Sequence, residues 1–238
     1  MAPESIPKTA FVTPEGQYEY LRMPFGLSNA ASVFQRMMDK VLGTLRQHVL
    51  IYLDDILIAT KTAEENLRIL EAVLKKLDEY RLTLQMKKCF FLLRELQYLG
   101  HTVSAEGIKP GEKSLRAVIN FPTPTDVHTL RQFLGLTGYF RKFVQNYAAI
   151  AGPLTKLLKK DEPWRWNAEQ QRAVDDLKRK LTTEPTLSSF KPEAPTELHT
   201  DASRVGIAAV LLQKENGKLK PVSYYSRRTN VHEQNYHS

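Results

Sequence analysis

Apolar residues recur at helical spacing in several long stretches and cluster in short bursts elsewhere, so the chain predicts a mixed fold of helices and antiparallel strands. Ala30, Phe34, Met37, Met38, Val41, Leu42 and Leu45 mark one helix face, and Ser28 or Asn29 can cap its start. Leu67, Leu70, Leu74 and Leu77 mark a second helix running to about Arg81, opened by Thr62-Ala63-Glu64-Glu65 as a capping box. These Met and Leu stripes are core surface. From Thr125 to about Asn146 a third helical region interleaves Leu130, Phe133, Leu134, Tyr139, Phe140 and Phe143 with Arg131, Arg141 and Lys142. A fourth helix carries Ala173, Val174, Leu177 and Leu181 after Trp164-Arg165-Trp166 and Asn167.

Short β-prone runs fill the gaps. Val49-Leu50-Ile51 and Ile56-Leu57-Ile58-Ala59 flank a turn, Leu82-Thr83-Leu84 and Cys89-Phe90-Phe91-Leu92 read as extended, and residues 98–104 with the turn Ala105-Glu106-Gly107 before Ile108 read as a hairpin. Past Glu197, Leu198-His199-Thr200-Asp201, Ile207 to Leu212 and Pro221 to Tyr225 predict an antiparallel meander with turns at Gly206 and Asn216-Gly217. Between these regions, Lys159 to Pro163 reads as a charged connector. Thr182 to Pro195, holding Pro185, Pro192 and Pro195, is the predicted domain boundary.

Charge adds a partner class to this outline. Lys and Arg number 34 against 26 acids, a net +8, yet residues 1–60 hold 5 basic and 6 acidic side chains while residues 61–195 hold 23 and 16. That excess suits a groove for a polyanion if it gathers in space, and ordinary solvated helix faces if it does not. One cysteine, Cys89, precludes an intrachain disulfide, Met1 to Ser5 lacks a secretory n- and h-region, and no apolar run approaches the roughly 20 residues of a membrane span. The expected setting is intracellular, with no membrane partner and no secretion.

The sharpest chemical feature is Asp54-Asp55, placed by its flanking apolar strands at a hairpin tip. Adjacent carboxylates on a rigid tip suit magnesium, which takes one or two protein acids together with substrate phosphates and water; an Asp-Asp pair on a solvated turn is the plainer alternative. Context favours the chemical reading. Phe11-Val12-Thr13-Pro14-Glu15-Gly16, Met23-Pro24-Phe25-Gly26-Leu27-Ser28-Asn29-Ala30, Phe34-Gln35 and Tyr52-Leu53-Asp54-Asp55 occur in the order found in retrotransposon reverse transcriptases, and the chain resembles the Ty3/gypsy type. Phe133-Leu134-Gly135-Leu136, Tyr139-Phe140-Arg141 and Pro153-Leu154 continue the likeness, and Thr200-Asp201-Ala202-Ser203 with Gly206 resembles the opening of a ribonuclease H domain.

The resemblance implies an α+β fold: a partial right-hand polymerase with palm over 1–107, thumb, connection and linker over 108–195, and the first part of a ribonuclease H-like domain over 196–238. It implies RNA-directed DNA synthesis on an RNA or DNA template with a primer, dNTPs as substrates, hybrid-strand cleavage by the second domain, and two Mg2+ ions per complete site, with Mn2+ able to substitute. Asp54, Asp55 and Asp201 would be catalytic metal ligands. Tyr52 would support the tip and face the primer end, Phe25 and Gly26 would line the nucleotide pocket, and Leu99, Gly100 and His101 would form the primer grip. Phe25 as core and His101 as a structural histidine stay open. Glu233 precedes the place where the family's next ribonuclease acid is expected, and Met1 to Ser5 offers no match for the third polymerase acid, so the chain reads as truncated at both ends, as a gene fragment, a decayed insertion or part of a longer Pol polyprotein, and is expected to be inactive by itself. A nonenzymatic nucleic-acid-binding relic, a domesticated interaction protein and a pararetrovirus polymerase are the alternatives; host, template preference and oligomeric state are not legible.

Overall fold

The computed structural model describes residues 1–183 and 186–236. It is α+β, with four antiparallel sheets among the described residues, and divides into two compact units, Met1–Leu93 and Arg94–Ser238.

In the first unit, β1 (Phe11–Thr13) and β2 (Gly16–Tyr18) form a small hairpin on which the rings of Phe11, Tyr18 and Tyr20 cluster. Helix α1 (Ala30–Val41) follows, then the hairpin β3 (Val49–Tyr52) and β4 (Asp55–Ile58), then α2 (Ala63–Glu79). The core is where one face of each helix meets the hairpin: Met38, Val41 and Leu42, Val49, and Ile69, Val73 and Leu77 are buried together; of the expected α2 stripe only Leu77 is among them, and Leu67 and Leu74 are exposed. Removing such side chains from water supplies about 25 cal/mol per Å2 of apolar surface, the force that holds the helices against so short a sheet. Thr62 caps α2 by accepting from the Glu65 amide at 3.2 Å, but the Glu65 carboxylate reaches back to the Lys61 amide, so the expected capping box is shifted by one residue.

Two expected strands are absent. Residues 82–84 and 89–92 form no ladder; a single 3-10 turn, Met86–Lys88, lies between them. Leu82 packs against the core, but Leu84, Phe90, Phe91 and Leu92 are exposed, Phe90 at 78%, with no neighbouring strand to partner them.

In the second unit the expected hairpin is one half of a three-stranded meander, β5 (Glu95–Tyr98), β6 (His101–Ser104) and β7 (Gly107–Pro110). A helix the periodicity did not reveal, α3 (Glu112–Ile119), follows at once. The region read as one helical run from Thr125 to Asn146 divides: α4 (Val127–Tyr139), capped by Asp126 in a capping box with Thr129, ends at Phe140 and a 3-10 turn over Arg141–Phe143. Asn146, with φ 59, then redirects the chain into the short helices α5 (Tyr147–Ile150) and α6 (Gly152–Lys156). Helix α7 (Ala168–Thr183) packs Ala173, Val174, Leu177 and Leu181 into a core with Val118, Leu130, Phe133, Phe140, Phe143 and Leu154.

The final sheet, in the order β10-β9-β8, is the predicted meander of β8 (Thr196–Ser203), β9 (Gly206–Glu215) and β10 (Lys218–Arg228). Its second turn is Asn216-Gly217, both at positive φ, 51 and 80, as a two-residue hairpin loop requires. Glu215 beside that turn is held by Lys191 and by Lys220, and the two ammonium groups keep its carboxyl down at about 2. Arg141 joins this sheet to the helices of the same unit: its guanidinium donates to the Ser226 carbonyl and lies 5.9 and 5.8 Å from the rings of Tyr147 and Tyr225, while the Ala148 amide donates to Ser226 Oγ at 2.9 Å.

The two compact units meet near residue 93. Pro185 lies outside the described residues, and the rest of the Pro-bearing stretch is tied down. Leu187 is buried, exchanges two backbone hydrogen bonds with Ile108 at 2.8 and 2.9 Å, and is followed by Ser188 bonded to Pro221. The approach is so close that a Cβ on Gly107, φ 133, would stand 2.1 Å from the Leu187 carbonyl oxygen.

Candidate active site

The hairpin of β3 and β4 carries the paired acids. Its register closes at Tyr52 opposite Asp55, leaving Leu53-Asp54 as the two-residue loop. Leu53 occupies the left-handed region with φ 52, an uncommon state for a residue with a Cβ that surrounding structure must hold. Gln35 supplies that hold. From α1 its Oε1 accepts from the Leu53 amide at 2.6 Å, and its Nε2 donates to the Ile51 carbonyl and to Asp39, each at 3.3 Å. One amide thus fixes the backbone on both sides of Tyr52. Asp54, Asp55 and Tyr52 are exposed, and neither carboxylate has a hydrogen bond or ion pair among the described residues.

Two free adjacent carboxylates on a fixed tip match the donor set of a hard divalent cation that draws its remaining ligands from substrate and water. No group of three or more His, Cys, Asp or Glu side chains poised to hold a metal occurs among the described residues. Phe25 stands with its ring fully exposed, and Gly26, φ 90, has open space where a Cβ would be.

The segment Leu99-Gly100-His101 sits in the second unit at the turn between β5 and β6. Leu99 and Gly100 both have positive φ, 47 and 73, and His101 opens β6. The imidazole packs between Tyr139, Phe140 and Phe143 with centroids 5.4 to 5.6 Å away, and its Nδ1 lies 2.8 Å from the Leu99 carbonyl oxygen. A carbonyl only accepts, so Nδ1 carries the proton; Nε2 is buried with no hydrogen-bond partner among the described residues. Burial pushes the His101 pKa below the usual 6.5, opposed by the Leu99 hydrogen bond and assisted by the charge of Lys142. The folded state thus binds fewer protons than the unfolded one, and stability is lost as pH falls below the unfolded value. Between about pH 7.5 and 5.5 the parent melting temperature is expected to fall more steeply than that of His101→Phe; parallel curves from calorimetry would refute this.

Asp201 lies on β8, whose eight residues are all exposed. It lines a cavity of about 510 Å3 with Glu169, Lys156, Arg228 and residues of α5 and α6. Its carboxylate has no hydrogen bond or ion pair among the described residues. Glu233 is differently placed: Arg227 grips both its oxygens at 2.6 and 2.7 Å, the Asn230 amide adds a bond at 2.8 Å, and together they hold its pKa at about 2.

Known proteins resemble the chain along nearly its whole length. Residues 1–103 match the family model for reverse transcriptase (RNA-dependent DNA polymerase), and residues 166–238 match that for the RNase H-like domain found in reverse transcriptase. The Pol polyprotein of transposon 297 from Drosophila melanogaster is 46% identical over 99% of the chain, that of transposon opus from the same fly 39% over 99%, and the Tf2-3 transposon polyprotein of Schizosaccharomyces pombe 37% over 96%. The chain spans 22%, 25% and 17% of those proteins. Among solved structures, a foamy viral protease-reverse transcriptase in complex with double-stranded DNA superposes with TM-score 0.87 at 26% identity, covering 99% of this chain and 41% of that one. The same viral enzyme with an RNA/DNA hybrid gives 0.80 at 26% identity, covering 95% and 31%. Motif order, fold and similarity along nearly the full chain agree: this is a Ty3/gypsy-type retrotransposon Pol sequence, a reverse transcriptase region running into an RNase H-like domain.

Proposed function

We propose that this chain supplies the metal-binding hairpin and primer-holding turn of an RNA-directed DNA polymerase, together with the first acid of a ribonuclease H site. The observation that carries the reading is the Asp54-Asp55 tip, exposed, unpartnered and fixed from α1 by Gln35. Asp54 and Asp55 would hold Mg2+, or Mn2+ in its place. When bound, such ions neutralise charge developing on the phosphoryl oxygens of the reacting nucleotide. Tyr52 would flank the primer end, and Phe25 with Gly26 would meet the incoming dNTP, an aromatic face with open backbone beside it. Leu99, Gly100 and His101 would hold the primer strand. Asp201, facing its cavity, would serve the cleavage of an RNA–DNA hybrid. Domain roles follow: palm to about residue 107, thumb and connection to about 195, ribonuclease H-like beyond.

Template and primer would be gripped through their phosphates by the basic residues of 61–195, with sequence left to base pairing. Binding of this chain to a primed duplex is the direct test. If about four phosphates are neutralised, log K should fall with log salt at a slope near −3.6 on B-form DNA, at about 0.9 per contact. A flat salt response, or no binding, would overturn the reading.

A further inference from the structure

Two donors converge on one carbonyl oxygen. Tyr139 Oη, from the last residue of α4, donates to Leu99 O at 2.7 Å, and His101 Nδ1–H donates to the same atom at 2.8 Å. The second carbonyl of this turn is held too, since Gly100 O accepts from the Gly111 amide at 2.8 Å. Gly100 lies against Tyr139 and Phe140, and a Cβ there would already touch the Tyr139 ring at 3.7 Å. The hairpin does not need the tyrosine for its own closure, because its register ends at Tyr98 opposite His101. Nor does burial explain Tyr139, whose surface is 56% exposed. A bulky residue in the left-handed region at Leu99 nevertheless needs an external hold, and the hydroxyl provides one from an element 40 residues away.

We infer that Tyr139 is a positioning residue for primer-end recognition: its hydroxyl latches the Leu99-Gly100 turn to the end of α4, so the helix sets where the turn meets the 3′ end of a bound strand. This rests on the primer-holding reading of residues 99–101. Tyr139 itself would act through Leu99 without touching the reacting atoms.

Tyr139→Phe tests it, because the ring contacts to His101 and Phe140, at 5.4 and 4.8 Å, survive and only the hydroxyl is lost. Affinities of the 238-residue chain for a blunt duplex and for the same duplex with a recessed primer 3′ end would be measured side by side, with a melting curve for each protein. Losing one hydrogen bond of ordinary strength is expected to reduce the preference for the recessed end roughly 3- to 10-fold, while blunt-duplex affinity stays within about 2-fold. A Phe variant with undiminished preference overturns the latch and leaves the functional reading intact. Equal losses on both duplexes would make Tyr139 a direct duplex contact and overturn it as well. A parent chain with no preference for the recessed end would overturn the primer-holding reading and the latch with it.

Discussion

Asn in place of Asp54, in the Pol protein that carries this segment, is expected to reduce magnesium-dependent primer extension at least about 10³-fold, roughly 4 kcal/mol of transition-state stabilisation. The size follows from the charge removed. Asn keeps the shape of Asp and tolerates a turn, so the loop, the Gln35 clamp and the buried apolar contacts behind the hairpin should persist; only one anionic oxygen donor disappears. Duplex affinity should remain within about 2-fold, because the tip is not the source of the basic surface. Gln35→Ala makes the informative contrast, since it leaves both carboxylates but releases the Leu53 amide and the Ile51 carbonyl. It should cost less than Asp54→Asn, about 10- to 100-fold, through misplacement of the tip. Extension that survives Asp54→Asn would leave the hairpin as a solvated turn and favour a protein that binds nucleic acid without copying it.

A comparably large effect is expected at Asp201 and a small one at Glu233. In the same Pol protein, Asp201→Asn should remove hybrid-strand cleavage, whereas Glu233→Gln should stay within a few-fold of the parent. The structure gives the reason for the difference. Asp201 lines a cavity and its carboxylate has no hydrogen bond or ion pair among the described residues, while Arg227 and the Asn230 amide occupy both oxygens of Glu233. Glu233 should instead reveal itself in acid. Its pKa is lowered from 4.5 to about 2, so its contribution to stability is present above pH 4.5 and lost as pH falls toward 2. The parent should lose stability across that window, and Glu233→Gln should lose correspondingly less. Cleavage defects of equal size in the two variants, with duplex binding unchanged, would make Glu233 a metal ligand and refute this assignment.

What could be read from the residues alone follows from what carries a local signal. The acidic hairpin was legible because β-branched residues flank a pair of acids, α2 because Thr62 caps a periodic stripe, and the last meander because Asn216-Gly217 fits few other conformations. Helix α3 was hidden although Leu115, Val118 and Ile119 fall at i, i+3 and i+4, because eight residues give only about two turns on which to see a period. The runs at 82–84 and 89–92 misled for the opposite reason: they are apolar enough for strands, but a strand needs a neighbour, and none pairs with them. The candidate acids stand out in the sequence, and their supports do not. Gln35 stood out only as part of a motif, and no spacing rule links it to Leu53, or Tyr139 to Leu99, because side chain to backbone bonds between distant elements leave no periodic trace.

The backbone pair between Ile108 and Leu187 has a consequence for the order in which the molecule assembles. These residues are roughly 80 apart in sequence, and bringing such distant points together costs about 4 kcal/mol of chain entropy before any reward. Two hydrogen bonds and one buried leucine repay that cost only if the chain between them has already shortened into helices. The pair is therefore expected to form late in folding, a seam that closes after α3 to α7 have gathered, which amide protection during refolding would check. It also makes the helical region an excursion whose two ends are sewn together, so its interior loops can gain or lose residues without altering the spacing of the sheets from which it departs and to which it returns.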